Sequence, residues 1–353
     1  MKILVTGATG HLGANLVRRL VVEGADVRAL ALPGDPARRA LDGLPLEVVE
    51  GDLRDPASLR PVLRDVGRVY HAAAVVSTLT ADEPLLFSAN VLGTRNLLRA
   101  ARDAGCGRVV VTGSFSAVGH RDDGAPCDET QPFNPFGKIL PYEKSKAGVE
   151  HEVLKACVEG QDIVVATSCA IIGPHDYVPS RMGRTIRDYA NGKLRAYLPG
   201  GFPFVSARDI VDGHVRAMER GRRGQKYIIA SEYRSTDDWM DMLERVTGRK
   251  RPVRLPTAVM LPIAIVSEAI VKTLAPRYPL RFTPGAVRIL SLCRRADTTK
   301  AETELGFRPT KIEDAVREAY EWFVADGQIG RSSRGPVPAA PGADERPRMR
   351  ASS

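Results

Sequence analysis

The most informative segment of the sequence is Thr6-Gly7-Ala8-Thr9-Gly10-His11-Leu12-Gly13. It joins an apolar run, residues 2–6, to an amphipathic run, residues 12–23. Gly7 permits a tight turn, Gly10 lets the backbone approach a diphosphate closely, and Gly13 allows a helix to pack against a strand. The free N–H groups and the dipole of the following helix favour negative charge at this point. The segment predicts a strand–turn–helix unit that binds the pyrophosphate of a dinucleotide. The candidate contacts are Gly7, Thr9, Gly10, His11, Leu12 and Gly13.

Outward from this turn, apolar strand patterns alternate with helical patterns. The predicted strands are residues 2–6, 26–32, 46–50, 68–72, 108–112 and 162–167, and the predicted helices are residues 12–23, 58–66, 90–104 and 142–159. Strands that alternate with helices predict a parallel sheet covered on both faces. A continuous apolar strand such as Arg108–Thr112 is typical of a sheet buried on both sides. The fold class predicted is therefore α/β, a doubly wound Rossmann sheet with a smaller C-terminal α/β substrate lobe.

The alternation weakens after Gly173-Pro174, which suggests three segments. Residues 1–172 form the predicted dinucleotide-binding domain, and residues 173–327 mainly form the substrate-binding lobe. Residues 328–353 have no hydrophobic period and are rich in Pro, Gly, Ser and Arg, so we expect a disordered tail.

Composition excludes several functional classes. The 353 residues carry a net charge of +9, but the arginines are scattered and form no stripe interleaved with aromatic residues, so we expect no nucleic-acid partner. The five cysteines form no C-x-x-C pair and the six histidines no H-x-x-x-H pair, which favours a reducing cytoplasm and no metal. The longest apolar stretch, residues 255–274, contains two prolines, Glu268 and Lys272, so we expect no stable membrane span.

Further motifs follow the glycine turn in order. Gly51-Asp52-Leu53 comes after the third predicted strand, His71-Ala72-Ala73 after the fourth, and Asn90-Val91-Leu92-Gly93-Thr94 opens a helix. Together with T-G-x-x-G-x-x-G, these segments resemble the extended short-chain dehydrogenase/reductase superfamily and its NAD-dependent epimerase/dehydratase family, over residues 1–325. Segments such as Val27-Arg-Ala-Leu30 and Gly213-His-Val-Arg-Ala-Met-Glu-Arg-Gly221 resemble its dihydroflavonol-reductase-like branch. The resemblance implies that Asp52, Leu53, Ala72 and Ala73 contact the cofactor.

Tyr142 and Lys146 lie four residues apart near the start of a predicted helix, so they share one helical face. An ammonium one turn from a phenol stabilises the phenolate and makes tyrosine a usable acid and base. Ser114 ends the fifth predicted strand, at the sheet edge where ligands of open α/β folds bind. The predicted catalytic residues are Ser114, Tyr142 and Lys146, and Tyr142 and Lys146 also contact the cofactor. Asn90 either supports a water-mediated proton relay or fixes the neighbouring loop.

The second predicted strand ends at Ala31 and Leu32, where an NAD-binding chain usually has an acidic residue. Arg38 and Arg39 follow and could neutralise a 2′-phosphate, while Asp35 supports the alternative, NAD. We therefore expect NADP(H) to be favoured over NAD(H), with Arg39 as a contact.

Three functions remain open. The first is reduction of a ketone, or oxidation of a secondary alcohol, on a largely apolar small molecule beneath a roof formed by Tyr177, Tyr197, Phe202 and Phe204. The second is epimerisation or dehydration of a nucleotide sugar, with Arg181, Arg184 and Arg187 on a surface helix as the only dense cationic candidates. The third is a non-catalytic NADP-binding regulator, although both Tyr142 and Lys146 are present. Helices 90–104 and 142–159 would form a homodimer interface, as is the habit of the superfamily.

Overall fold

A seven-stranded parallel sheet forms the centre of the computed structural model, which describes residues 1–121, 123–133, 140–259, 262, 264–266 and 283–330. The strand order is β10-β6-β5-β4-β1-β2-β3. The strands are β1 (Lys2–Thr6), β2 (Val27–Ala31), β3 (Glu47–Glu50), β4 (Val66–His71), β5 (Arg108–Ser114), β6 (Ile163–Ser168) and β10 (Lys226–Ile229). The doubly wound α/β fold predicted from the alternating pattern is confirmed.

Both faces of this sheet are buried because alternate residues of each strand point to opposite sides. Val5 and Val110 pack on one side with helices α1 (His11–Val22) and α7 (Ala207–Arg220). Leu4 and Val109 pack on the other side with α2 (Pro56–Val62), α4 (Gly93–Asp103) and α5 (Pro141–Val158). The carboxyl ends of the parallel strands therefore meet at one edge.

The helix expected from residue 90 begins earlier than predicted. A short helix, α3 (Glu83–Leu86), continues through a π-helical turn, Phe87–Leu92, into α4. Asn90 lies in this turn and is buried there. Its amide pairs with the backbone of Val75 at both the N–H (2.8 Å) and the C=O (2.9 Å). The hydrophobic pattern gave no sign of the π-turn.

A smaller lobe covers the carboxyl edge. Its sheet runs β11 (Glu232–Ser235), β9 (Gly201–Ser206), β7 (Ala170–Ile172), and a second pair joins β12 (Val253–Arg254) to β8 (Ala196–Tyr197). Its helices are α6 (Arg181–Ala190), α8 (Thr236–Thr247), α9 (Pro284–Ser291) and α10 (Ile312–Ala325). Its core contains Ile172, Phe204, Trp239, Leu243 and Phe323.

The segment boundaries differ from the predicted ones. β10 is a strand of the large sheet and α7 packs on that sheet, although both fall within residues 173–327. After the first part of the lobe, the chain returns to the large sheet and then enters the lobe again. The ordered chain also continues past residue 328. Ile329 is 2% exposed in the lobe core, and its N–H donates to the Phe323 carbonyl at 3.2 Å.

Two sequence predictions lie outside the described residues: the tail from residue 331, and most of the apolar stretch 255–274. Within the described ranges, no helix is both long and apolar enough to cross a membrane.

Candidate active site

The glycine turn has a backbone conformation and a packing that only glycine allows at two of its positions. Gly7 has φ +67°, and a Cβ there would lie 2.6 Å from the Ala73 Cα. A Cβ on Gly13 would lie 2.0 Å from the Gly7 carbonyl oxygen, so the helix could not approach the turn. Gly10 begins α1 without a side-chain cap, and no acidic residue stands in the first turn. The open N–H groups of α1 therefore fit a bound anion.

The other residues of the turn have different surroundings. The Thr9 hydroxyl donates to an Asp35 carboxylate oxygen at 2.7 Å. Both ring nitrogens of His11 are buried without a hydrogen-bond partner among the described residues, beside the buried Asp176 (His11 Nδ1 to Asp176 Oδ2, 3.9 Å). Leu12 packs in the core, so only its backbone could contact a phosphate.

Hydrogen bonds hold the end of β4 against the glycine turn. Thr6 Oγ1 lies 2.7 Å from His71 Nδ1, and Thr94 Oγ1 lies 2.9 Å from His71 Nε2. Burial lowers the pKa of His71 to about 3, so the ring is neutral at pH 7. The Ala72 N–H donates to the Thr6 carbonyl at 3.2 Å and the Ala73 N–H to the Thr6 hydroxyl at 3.3 Å. These bonds fix the floor of the candidate cofactor cleft.

The residues after β3 comprise one paired carboxylate and one apolar contact. Asp52 forms an ion pair with Arg54 at 2.5 Å, and hydrogen bonds from Arg54 hold the pKa of Asp52 below its usual value. Leu53 packs against α4, since a Cβ on Gly93 would lie 2.9 Å from the Leu53 Cβ.

The loop after β2 holds its charges in an arrangement that the sequence did not reveal. Asp35 lies against the glycine turn through Thr9. Arg39 instead makes a two-point contact with Asp326 after α10, at 2.9 and 2.8 Å, and its guanidinium lies 5.0 Å from the centre of the Tyr177 ring. The Asp326 contact raises the pKa of Arg39.

Ser114 and Tyr142 meet at the carboxyl edge of the sheet. Ser114 is the last residue of β5, and its hydroxyl is hydrogen-bonded to the Tyr142 phenol. Tyr142 is held at the start of α5, where the Glu143 carboxylate accepts from the Leu140 N–H at 2.7 Å. Burial raises the pKa of Tyr142, while the Ser114 hydrogen bond and the charge of Arg181 oppose that rise.

Lys146 lies one turn along α5 and is buried. Its ammonium donates to the Thr112 carbonyl at 2.7 Å, and burial lowers its pKa to about 8. The Lys146 ammonium is therefore held between α5 and the carboxyl end of β5.

Sequence reasoning missed the partner of Thr112. Thr112 Oγ1 lies 2.9 Å from His214 Nε2, and His214 Nδ1 lies 2.7 Å from the Ile210 carbonyl. Burial lowers the pKa of His214 to about 4. The neutral ring therefore donates from Nδ1 to Ile210 and accepts the Thr112 hydroxyl at Nε2. No short-range pattern in the sequence links His214 to β5.

The expected aromatic roof is not present as predicted. Phe204 is fully buried against Trp239, with ring centres 5.4 Å apart, and Phe202 packs on Phe204. Tyr197 is buried and donates to Asp237 at 2.7 Å. Tyr177 packs on Trp322 of α10, with ring centres 5.0 Å apart. Aromatic side chains can pack inside a lobe as well as line a pocket. Their apolar character alone therefore could not assign these residues to a pocket.

The predicted surface helix of arginines also needs correction. Arg184 of α6 is exposed, but Arg181 is partly buried, and its charge reaches the Tyr142 phenol. Within the described ranges, no group of three or more His, Cys, Asp or Glu side chains could hold a metal ion.

The glycine turn, the open start of α1 and the Ser114–Tyr142–Lys146 group at the same sheet edge define a dinucleotide-binding oxidoreductase of the short-chain dehydrogenase type. Sequence comparison agrees with this class, since the profile of the NAD dependent epimerase/dehydratase family matches residues 3–230. The chain belongs to this NAD-dependent epimerase/dehydratase family.

Several relatives span nearly the whole chain. Sterol demethylase protein B of Methylococcus capsulatus is 43% identical over 93% of this chain and 100% of its own length. A putative dihydroflavonol 4-reductase of Synechocystis is 34% identical over 92% of this chain and 95% of its own. The crystal structure of gox2253 matches with a TM-score of 0.82 and 34% identity, over 93% of this chain and 99% of that one. The predicted dihydroflavonol-reductase-like resemblance is confirmed.

Proposed function

We propose that this protein is an NAD(P)-dependent oxidoreductase that reduces a ketone, or oxidises a secondary alcohol, of a largely apolar small molecule. The observation that carries the proposal is the hydrogen bond between the Ser114 and Tyr142 hydroxyls at the end of β5, the strand on which the Thr112 carbonyl holds the buried Lys146 ammonium. Two hydroxyls and one ammonium suit a single carbonyl or carbinol oxygen. The names of similar proteins support this chemistry, because they include a 3beta-hydroxysteroid-dehydrogenase/decarboxylase of Arabidopsis thaliana at 29% identity and a ketoreductase of Stigmatella aurantiaca at 30%.

Each group has a distinct task in the proposed reaction. A bound nicotinamide would supply or accept the hydride. Ser114 donates a hydrogen bond to the substrate oxygen and orients it, while Tyr142 gives that oxygen a proton during reduction and takes one during oxidation. Lys146 holds a ribose hydroxyl and stabilises the Tyr142 phenolate.

The proposed cofactor cradle follows the residues expected from the sequence. It comprises Gly7, Thr9, Gly10, His11, Leu12, Gly13, Arg39, Asp52, Leu53, Ala72, Ala73, Tyr142 and Lys146. The uncapped start of α1 and the absence of Cβ atoms at Gly7 and Gly13 support the pyrophosphate contacts.

NADP(H) is the proposed cofactor, in preference to NAD(H). Support comes from Arg38 and Arg39, which form the short helix after β2 and leave about half of each side chain exposed. Asp35 at the glycine turn favours NAD instead, because a carboxylate there would repel a 2′-phosphate and accept from ribose hydroxyls.

The proposed assembly is a homodimer through α4 and α5. Its support is the pair of exposed apolar side chains on α5, Leu154 and Val158, which are 54% and 88% exposed. The five cysteines are all unpaired, which suits the cytoplasm as the proposed compartment.

A nucleotide-sugar epimerase or dehydratase is the second candidate. It is favoured by the cationic side chain of Arg181 near Tyr142, and by a match of 31% identity over 66% of this chain to a dTDP-glucose 4,6-dehydratase of Mycobacterium tuberculosis. Against it, the segment Thr167–Pro174 lacks the polar and aromatic residues that similar sugar-nucleotide enzymes present there.

The proposal is tested by measuring NADPH and NADH binding by fluorescence, followed by turnover on a panel of aliphatic, aromatic and steroid ketones. We expect cofactor binding and oxidation of the bound cofactor by at least one apolar ketone. Cofactor binding without turnover on any panel member would favour the non-catalytic regulator. Micromolar binding of UDP or dTDP by titration calorimetry would favour the sugar-nucleotide enzyme.

A further inference from the structure

Arg181 is fixed at the junction of the two parts of the molecule. It is the first residue of α6, whose start is capped by the Ser180 hydroxyl, which accepts from the Gly183 N–H at 3.1 Å. Its guanidinium extends to the loop after β4, where Nη2 donates to the Thr78 hydroxyl at 2.7 Å. Asn90 holds that same loop at Val75. Arg181 therefore spans from the lobe to the wall of the candidate active site.

The charge of Arg181 lacks a counter-ion in the described part of the chain. Burial lowers the pKa of Arg181, and the neighbouring positive charge of Arg184 lowers it further. No described carboxylate lies within 4.0 Å of it, and the nearby Asp176 accepts from the Ser180 N–H and hydroxyl instead. By contrast, the buried Arg28 pairs with Glu47 at 2.9 Å. A desolvated guanidinium without an anion is costly, so this site is ready to accept one.

The loop that Arg181 contacts is tied to α5 beside Tyr142. The Asn90 side chain donates to the Val75 carbonyl at 2.9 Å and to the Ser145 hydroxyl at 3.0 Å, and that hydroxyl donates to the Tyr142 carbonyl at 2.8 Å. The charge of Arg181 also lowers the pKa of the Tyr142 phenol. An anion bound by Arg181 would therefore be part of the molecule whose oxygen meets Tyr142, or immediately beside it.

We propose that Arg181, together with the Thr78 hydroxyl, binds a carboxylate of the substrate, so that the substrate is an apolar hydroxy acid or keto acid. This inference rests on the proposed oxidoreductase function and names its substrate class. A planar guanidinium matches a carboxylate at two points, and a hydroxyl can add a third hydrogen bond. A single partly buried arginine beside an exposed one balances one negative charge better than the two or three of a nucleoside diphosphate.

The test compares two isosteric ligands, octanoate and octanamide, in calorimetric titrations of the NADP⁺-bound protein. We expect the wild type to bind octanoate at least tenfold more tightly than octanamide. Arg181→Gln should abolish this preference, and Arg187→Gln on the same helix should retain it. NADPH binding by each variant shows that the fold is intact. If Arg181→Gln loses NADPH binding, Thr78→Val replaces it, with a weaker but measurable loss of preference expected.

Equal affinities for octanoate and octanamide, or no binding of either, would overturn the inference. A preference that survives in Arg181→Gln would also overturn it. Micromolar UDP binding that requires Arg181 would assign the site to a diphosphate instead. A failure of the proposed oxidoreductase function would give a different result. The wild type would then still prefer octanoate through Arg181 but would turn over no ketone on the panel.

Discussion

Burial of the Lys146 ammonium lowers the stability of the folded protein, although the proposed reaction uses this group. Its pKa of about 8 in the folded protein lies below the usual 10.5, because burial disfavours the charged form. Below pH 8 the group is charged in both states, and the folded state carries a penalty of about 3 kcal/mol. As the pH rises from 8 to about 10.5, the folded group loses its proton first and the penalty disappears.

Replacing Lys146 by Met should therefore stabilise the unliganded protein most at pH 7, and the advantage should shrink towards pH 10. Urea unfolding of both proteins at the two pH values measures the change. Lys144→Met is the matched control, because Lys144 is exposed two residues earlier on the same helix. A difference between wild type and Lys146→Met that stays constant with pH would show that burial of the ammonium does not oppose folding.

Tyr142→Phe removes only the phenolic oxygen, so it should lower kcat by about 10²–10⁴-fold while NADPH binding stays nearly unchanged. Steady-state kinetics and fluorescence titration of the variant measure the two effects. A variant that keeps more than about a tenth of wild-type kcat would refute the assigned role.

Ser114→Ala should also lose activity, because Ser114 contacts the phenol. Ser116→Ala is its control: the Ser116 N–H donates to the Ser114 hydroxyl at 3.3 Å, and that donor survives the substitution.

Individual residues differed in how far the sequence determined them. Tyr142, Lys146 and Ser114 could be chosen because a helical interval and a strand end fix where such side chains point. His214 could not be chosen, and Arg181 was expected only as one of three cations on a surface helix. The residues that they approach, Thr112 and Thr78, are 102 and 103 positions away in the chain. Only the tertiary fold brings them to the site.

At the level of elements, the loop after β2 and the end of α10 share one ion pair. Arg39 is the expected partner of a 2′-phosphate, yet Asp326 holds it from the C-terminal side. A 2′-phosphate and the Asp326 carboxylate would compete for the same guanidinium.

NADPH should bind more tightly than NADH, and Arg39→Ala should lower NADPH affinity roughly tenfold, since an exposed charge-assisted contact is worth about 1–2 kcal/mol. Asp326→Asn should raise NADPH affinity by releasing Arg39, with little effect on NADH. Dissociation constants for both cofactors measure these changes. Equal dissociation constants for NADPH and NADH in the wild type would contradict the NADP(H) preference and favour Asp35 as a ribose contact. Asp35→Asn would then weaken NADH binding.

Strands and long helices were predicted to within a few residues because their apolar periods are set by burial on both faces of the sheet. α1, α5 and the first six strands of the large sheet all overlap their predicted spans. The π-turn at Phe87–Leu92 and the return of β10 to the sheet were not foreseen. Asn90 in the π-turn bonds the backbone of Val75, fifteen positions away, and β10 joins the sheet beside β6; neither arrangement leaves a periodic signal.

At the scale of the whole molecule, the C-terminal end of the described chain closes the lobe core. Ile329 packs with Phe323, and the Gln328 carbonyl accepts from the Asn191 side chain at 3.1 Å. The Gly330 N–H donates to the same Asn191 side chain at 3.2 Å. The lobe therefore needs three residues that composition had assigned to a disordered tail.

Two truncations separate this docked end from the remainder of the tail. Removing residues 331–353 should leave the melting temperature and activity unchanged, because that segment has no apolar period with which to dock. Removing residues 328–353 should lower the melting temperature by several degrees, since the loss of a buried isoleucine costs about 2–5 kcal/mol. Scanning calorimetry of the two proteins beside the full chain gives the comparison. A large loss already in the shorter truncation would show that residues beyond Gly330 pack on the fold, whereas no loss in the longer one would mean that Ile329 contributes little to the lobe core.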